Sequence, residues 1–134
     1  MILHIEHVGI AVSDPEAARQ TFAKLLGKQA YKSEKVESEN VETHFFRLGE
    51  GQIELLESTD PEGVISKFIA KKGQGMHHIA LRTDDIEAEI KRLQDLGFEF
   101  ISPVPKKGAD HKLICFLHPK STNGVLVELC QDIA

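Results

Sequence analysis

The chain lacks tryptophan, has one tyrosine and contains only two cysteines among its 134 residues. Cys115 and Cys130 lie in apolar runs without the spacing of metal-binding cysteines, so we interpret them as reduced core thiols, with a disulfide as the alternative. No apolar run approaches the roughly 18 residues of a membrane-spanning helix. The N-terminal segment MILHIEHVGIAV also lacks the basic part and the cleavage site of a signal peptide. We therefore expect a cytoplasmic protein without a membrane partner.

Clustered positive charge is missing as well. The 16 Lys and Arg residues are outnumbered by 21 Asp and Glu, which gives a formal net charge of -5. Sequence-independent nucleic-acid binding depends on Lys and Arg against phosphates, so no nucleic-acid partner is expected. The hydrophobic share of 41% and the charged share of 28% are those of an ordinary globular domain. We expect residues 1–134 to form one domain that acts on a small molecule.

An internal repeat is the most informative feature of the sequence. The segment EHVGIAVSDPEAARQTFAKLLGK aligns without a gap with HHIALRTDDIEAEIKRLQDLGFE, and His7 falls on His78. In each copy a short apolar strand precedes a segment with the apolar stripe of an amphipathic helix. Each copy therefore predicts a strand followed by a helix.

The starts of the two predicted helices carry the same signal. Ser13 with Glu16, and Asp84 with Glu87, match the spacing of a capping box, in which a short polar residue precedes the helix and a glutamate follows three positions later. We expect the helices to begin at these equivalent positions.

Each predicted helix is followed by extended segments, VETHFFRL and GQIELLES in the first half and LICFLHP and GVLVELC in the second. The repeated unit is therefore βαβββ, with residues 30–42 and 102–112 interpreted as polar loops. We expect an α+β fold in which two such modules form a curved mixed sheet around a cleft, with the helices on the outer face.

The predicted module boundaries are 1–57 and 76–134. Residues 58–75 would connect them and contain a short helix from Val64 to Lys71. Neither half of about 65 residues would bury much core alone, so the two modules are expected to act as one fold unit.

Four side chains are expected to converge in the cleft. Side chains alternate between the faces of a strand, so His7 and His78 lie opposite the apolar residues of their strands. Glu54 and Glu128 lie opposite their apolar neighbours in the matching strings IELL and VELC. A lone carboxylate in such a strand is costly to bury unless it is paired or binds a cation. Two imidazoles and two carboxylates select a borderline divalent ion.

Other interpretations of these residues stay open at this point. His77 competes with His78 as a ligand, although alternation sends it to the packing side, and Gln52 competes with Glu54 because they share a face. The histidines could also be satisfied core residues and the glutamates surface residues of the strands. Four such coincidences related by one repeat favour the metal site.

The repeat and the order His, Glu, His, Glu resemble the glyoxalase and vicinal oxygen chelate superfamily over nearly the whole chain. Within it, the strings HVGIAV, IELLE, GMHHIAL and FLHPKSTNGVLVELCQ resemble the methylmalonyl-CoA epimerase family. The resemblance implies an isomerase of propionate metabolism with one divalent ion per chain, Co²⁺ first and Zn²⁺, Ni²⁺ or Mn²⁺ as alternatives. It implies as ligands His7, Glu54, His78 and Glu128, and it implies a homodimer.

An epimerase of this family would interconvert the 2R and 2S forms of methylmalonyl-CoA by proton transfer at C2 through an enolate. We expect Glu128 to be one catalytic base, and the resemblance points to Glu42 as the second, with an exposed strand residue as the alternative. The acyl-CoA substrate carries phosphates, for which the candidate contacts lie in the second half: Lys106, Lys107, Lys112, Lys120 and Ser121.

Two other functions stay compatible with this sequence. Glyoxalase I (lactoylglutathione lyase) would use the same scaffold and the same kind of metal on a glutathione hemithioacetal. A metal-free binding or resistance protein would use the cleft without chemistry, and the retention of four ligands speaks against it. A dioxygenase is a weaker alternative because a facial triad of two His and one carboxylate leaves one glutamate unexplained.

Overall fold

Each half of the chain forms a strand, a helix and three further strands, which confirms the predicted βαβββ repeat. The computed structural model describes residues 1–133. The strands are β1 (Ile2–Ala11), β2 (Lys32–Val36), β3 (Val41–Leu48), β4 (Gly51–Ser58), β5 (Gly75–Thr83), β6 (Lys106–Lys107), β7 (Lys112–Leu117) and β8 (Val127–Asp132). The helices are α1 (Pro15–Leu26), α2 (Val64–Lys72) and α3 (Ile86–Asp95), and α2 matches the predicted connector helix within one residue.

The chain divides into two compact units. The first unit combines Met1–His7 with His78–Ala134, and the second is Val8–His77. The strand order is β1-β5-β8-β7-β6 in the first unit and β2-β3-β4-β1 in the second, so β1 contributes its first residues to one unit and its last residues to the other. These units follow spatial contacts, whereas the predicted modules follow the sequence repeat, and the single-domain interpretation stays a prediction.

In the first unit, α3 packs on one face of the strands. Ile86, Ile90 and Leu93 of the helix form a buried cluster with Cys115 and Leu117 of β7 and with Val127 and Leu129 of β8. Strand β8 runs antiparallel to β7 and parallel to β5. Because neighbours along a strand point to opposite faces, Glu128 lies on the face away from α3.

In the second unit, α1 covers the equivalent face. The buried residues Val12, Phe46 and Leu55 pack against Phe22 and Leu26 of this helix. The hairpin of β3 and β4 has a register in which Phe46 lies opposite Ile53 and Phe45 lies opposite Glu54. The helix-covered face of this hairpin therefore contains Phe46 and Leu55, and Glu54 lies on the other face.

Both predicted helix starts are one residue too early. Asp14 caps α1 with its side chain accepting a hydrogen bond from the backbone N of Ala17, and Asp85 caps α3 by accepting from that of Ala88. In α1 the reason is Pro15, which favours the first helical position and holds the preceding residue extended. The helix starts remain equivalent in the two halves.

Two segments predicted as loops contain strands. Residues 30–42 include β2, and residues 102–112 include β6 and the first residue of β7. Both β2 and β6 are short, polar and mostly exposed, so they lack the apolar alternation by which a strand is recognised. Among residues 1–133, no helix has the length and apolar character needed to span a membrane.

Candidate metal centre

Three of the predicted ligands meet in the first compact unit. His7 is in β1, His78 is in β5 and Glu128 is in β8, and their residues are only 5%, 6% and 5% exposed. The parallel register of β5 and β8 sets Ala80 opposite Glu128. The alanine, which is fully buried, leaves room beside the carboxylate for the imidazole of His78 two residues earlier.

The donor atoms of these side chains face one another. The Nε2 atoms of His7 and His78 are 3.0 Å apart, and Glu128 Oε1 lies 3.2 Å from His78 Nε2 and 3.7 Å from His7 Nε2. Two ligand atoms that are each about 2.1 Å from an ion lie roughly 3.0 Å apart at a right angle and about 3.4 Å apart at a tetrahedral angle. The donor set of two imidazoles and a carboxylate therefore fits a divalent ion in chemistry and in spacing.

Glu6 determines which ring nitrogen of His7 carries a proton. Its Oε1 lies 2.6 Å from Nδ1 of His7, and both residues are buried. A carboxylate accepts hydrogen bonds, so Nδ1 of His7 is the donor in this contact. In neutral His7, the lone pair is then on Nε2, the atom that faces His78 and Glu128.

Glu128 is ionised at neutral pH despite its burial. Burial by itself would raise the pKa of this carboxyl, but hydrogen bonds and charge interactions with His7 and His78 outweigh it and lower the pKa to about 2. Glu128 therefore offers the anionic oxygen that a hard or borderline cation requires.

Glu54, the fourth predicted ligand, lies on β4 in the second unit. Its side chain is buried, and in the hairpin it lies opposite Phe45. Burial agrees with the expectation that this carboxylate has a partner. Its role as a ligand stays a prediction.

The strand register argues against Glu42 as the second catalytic base. Glu42 lies opposite Glu57, and the two form a cluster with the buried His44, whose Nε2 is 2.9 Å from Glu57. His44 is two residues from Phe46, so this cluster is on the helix-covered face of the hairpin. Glu54 is on the other face, and the two glutamates cannot serve one substrate from opposite sides of the same sheet.

The two competing ligands have other contacts. The ring of His77 packs edge-on against Phe68 of α2, with centroids 4.9 Å apart, as expected for a side chain on the packing side. Gln52 is buried and accepts a 2.5 Å hydrogen bond from the hydroxyl of Tyr31.

The predicted substrate contacts are distributed over two places. Lys106 and Lys107 form the exposed strand β6, opposite Ile114 and Leu113. The ammonium group of Lys120 lies 2.6 Å from the carboxylate of Glu99, and Ser121 Oγ accepts a hydrogen bond from the backbone N of that same residue. Lys120 and Ser121 line an open pocket with residues 96–99. Their roles in binding stay predictions.

The sequence interpretation missed the role of Glu6 and treated Lys112 as a loop charge. Lys112 is the first residue of β7 and is 7% exposed, with its ammonium 2.7 Å from Asp132. A signal was present, because Lys112 is two and four residues before Ile114 and Phe116 and so lies on their face of β7, and Phe116 is opposite Glu128. For Glu6, its position beside His7 was the available signal.

Known proteins share this fold and much of this sequence. The family described as Glyoxalase/Bleomycin resistance protein/Dioxygenase superfamily matches residues 6–116. The ethylmalonyl-CoA/methylmalonyl-CoA epimerase of Cereibacter sphaeroides is 38% identical over 98% of this chain and 99% of its own length. The mitochondrial methylmalonyl-CoA epimerase of Homo sapiens is 38% identical over 95% of this chain and 73% of its own length.

A solved structure supports the same relationship. Streptomyces coelicolor methylmalonyl-CoA epimerase in complex with 2-nitronate-propionyl-CoA superposes with a TM-score of 0.94 at 31% identity, and the match covers 100% of this chain and 97% of that one. The chain therefore has the glyoxalase fold, belongs to the Glyoxalase/Bleomycin resistance protein/Dioxygenase superfamily and, within it, is a member of the methylmalonyl-CoA epimerase family of isomerases.

Proposed function

We propose that this protein is a metal-dependent epimerase that interconverts the 2R and 2S forms of methylmalonyl-CoA. The observation that carries the proposal is the buried convergence of His7, His78 and Glu128 on one point. The relative from Cereibacter sphaeroides, which matches along almost its whole length, supports an acyl-CoA with a 2-carboxyl group as the substrate class.

His7, His78 and Glu128 would hold the ion, and we propose Glu54 as the fourth ligand on the basis of the sequence repeat. Co²⁺ is the ion expected first, with Zn²⁺, Ni²⁺ and Mn²⁺ as alternatives, because two imidazoles and two carboxylates form a set of borderline character. A divalent ion supplies Lewis-acid polarisation of the substrate's carboxylate and thioester oxygens, which lowers the energy of a negative charge that develops next to C2.

Glu128 is our proposed base. The C2–H bond breaks, its electron pair enters the enolate of the thioester, and the proton passes to a carboxylate, which must be ionised beforehand. The low pKa of Glu128 satisfies this condition at neutral pH and makes the protonated form a strong acid that readily returns a proton. Epimerisation then requires a proton to reach the opposite face of the enolate, for which the position of Glu42 on the hairpin is unsuitable.

We propose Lys106 as a contact for the CoA phosphates. Its partner in the β6–β7 pair is Ile114, which lies on the same face of β7 as Phe116, the residue opposite Glu128. Lys107, Lys120 and Ser121 stay predicted contacts, although the ammonium group of Lys120 already has a carboxylate partner. The homodimer stays a prediction.

Solvent deuterium exchange tests the proposal. Protein purified without chelator is analysed for metal, incubated with methylmalonyl-CoA in D₂O, and examined for deuterium at C2 by mass spectrometry. We expect exchange in the metal-loaded protein, loss of exchange after chelator treatment and recovery with Co²⁺. A protein with stoichiometric metal and no exchange would contradict the epimerase function.

The same preparation separates the other candidate functions. Glyoxalase I would convert the hemithioacetal of methylglyoxal and glutathione and leave methylmalonyl-CoA unchanged. In a metal-free binding protein, Glu128→Ala would leave the metal content at its background level, whereas in the proposed enzyme this substitution abolishes stoichiometric binding. Ethylmalonyl-CoA, tried beside methylmalonyl-CoA, measures how strictly the acyl group is selected.

A further inference from the structure

We infer that Glu6, supported by Lys112, is a positioning residue that holds His7 in the orientation and tautomer needed to bind the metal ion. The inference rests on the proposed metal centre and concerns a pair of residues that act through His7. Its basis is a continuous series of buried charged groups in the first compact unit, which ends at His7.

The series begins at Lys112, whose ammonium group has three carboxylates around it. Its Nζ lies 2.7 Å from Asp132 Oδ1, 3.9 Å from Glu6 Oε2 and 3.9 Å from Asp110 Oδ2. Arg82 forms a further ion pair with Asp132. Lys112 is therefore committed to protein carboxylates, which makes it unsuitable as a contact for a CoA phosphate.

Glu6 connects this ammonium group to the metal centre. One carboxylate oxygen, Oε2, faces Lys112, and the other, Oε1, lies 2.6 Å from Nδ1 of His7. Glu6 is only 3% exposed, and an ionised carboxylate at such a site is stable only when both oxygens have partners. Lys112 thus stabilises the anionic form of Glu6, the form that can only accept a hydrogen bond from the imidazole.

An accepted hydrogen bond at Nδ1 has two consequences for His7. It fixes the rotation of the ring about its side-chain bond, and it leaves the Nε2 lone pair facing His78 and Glu128. Partners of this kind behind a metal-binding histidine contribute about 10–100-fold to metal affinity. A purely structural ion pair between Lys112 and Asp132 would give no such effect on the metal.

Two measurements test the inference without substrate, so they do not depend on epimerase activity. Cobalt affinity is measured by competition with a chromophoric chelator for the wild type, Glu6→Gln, Glu6→Asp and Lys112→Met. We expect Glu6→Gln to weaken Co²⁺ binding about 10–100-fold, and Lys112→Met and Glu6→Asp to weaken it by smaller factors. Glu57→Gln is the matched control, because it removes the carboxylate partner of His44 and should leave Co²⁺ affinity unchanged.

Nitrogen NMR of the metal-free wild-type protein provides the second measurement, which needs no variant to fold. We expect His7 to be protonated at Nδ1, with its Nε2 unprotonated when the ring is neutral. A His7 ring with the proton on Nε2 alone, or a folded Glu6→Gln protein that binds Co²⁺ as tightly as the wild type, would overturn the inference. A wild-type protein that binds no Co²⁺ but shows the Nδ1–H tautomer would instead contradict the proposed function.

Discussion

Asp14 and Asp85 have the same role in the two halves of the chain. Each carboxylate accepts a 3.1 Å hydrogen bond from the backbone N three residues later, and each residue has extended backbone angles. They are separated by 71 residues, as are His7 and His78. The helix starts and the two histidines therefore follow one internal repeat.

Replacing either cap should destabilise the protein. Asp14→Ala and Asp85→Ala each remove an acceptor from a backbone N–H in the first helical turn, and we expect a loss of about 1 kcal/mol in the free energy of unfolding for each. Urea unfolding followed by circular dichroism measures the change. Ser13→Ala is the control, because Ser13 precedes the cap, and a loss as large as that of Asp14→Ala would contradict the assigned helix start.

Glu42 and Glu128 should differ sharply in their effect on epimerisation. With metal at saturation, Glu128→Gln removes the proposed base and should lower kcat/KM by roughly 10²–10⁴. Glu42→Gln changes a residue on the helix-covered face of its hairpin and should leave kcat/KM within about a factor of three. Rates with methylmalonyl-CoA decide the matter, and comparable losses in the two variants would restore Glu42 as a catalytic base.

Glu89 should make the stability of the protein depend on pH. Hydrogen bonds from Arg92 lower the pKa of this carboxyl on α3, whose side chain is almost fully buried. A lowered pKa stabilises the fold above the ordinary value of about 4.3, and this contribution is lost as pH falls through the lowered pKa.

We therefore expect Glu89→Gln to cost about 1 kcal/mol at neutral pH and much less near pH 3. Urea midpoints at the two pH values provide the measurement. Glu87→Gln, an exposed change on the same helix, should show no comparable difference between them. A Glu89→Gln cost that is equal at both pH values would contradict the assigned cause.

The two cysteines should resist both alkylation and disulfide formation. Burial, with a smaller contribution from the charge of Glu128, raises the pKa of Cys115 to about 12, and the reactive species of cysteine is the thiolate. Cys115 packs in the α3 cluster, while Cys130 packs with Ala80 and Ile114 on the other face of the strands. Mass spectrometry after iodoacetamide should find no label in the folded protein and two labels in urea. Rapid labelling of the folded chain would contradict this assignment.

Strand alternation was sufficient to predict much of the metal centre. His7, His78 and Glu128 each lie in a strand whose apolar neighbours pack toward a helix, so the opposite face follows from sequence parity alone. The same rule failed for Glu42 because its role came from family resemblance, while its partner across the hairpin, Glu57, was not known. One register position decides the face of a strand residue.

Other features could not be obtained from local sequence. Strands β2 and β6 are polar and occupy the outer positions in the strand orders, where one side of a strand has no neighbour to require an apolar pattern. The contact between Lys112 and Glu6 joins residues from opposite ends of the chain. Which charges share a buried space is a property of the assembled strands and has no signature within a window of sequence.

The polar character of β2 and β6 has a consequence for behaviour at high concentration. A strand with one unpaired side exposes N–H and C=O groups to which the backbone of a neighbouring molecule can bind, and this is a common start of aggregation. Here the two outer strands carry Lys32 and Lys35, and Lys106 and Lys107, and β6 has only these two residues. Repulsion between like ammonium groups, together with the short length of β6, protects these edges against fibril-like association.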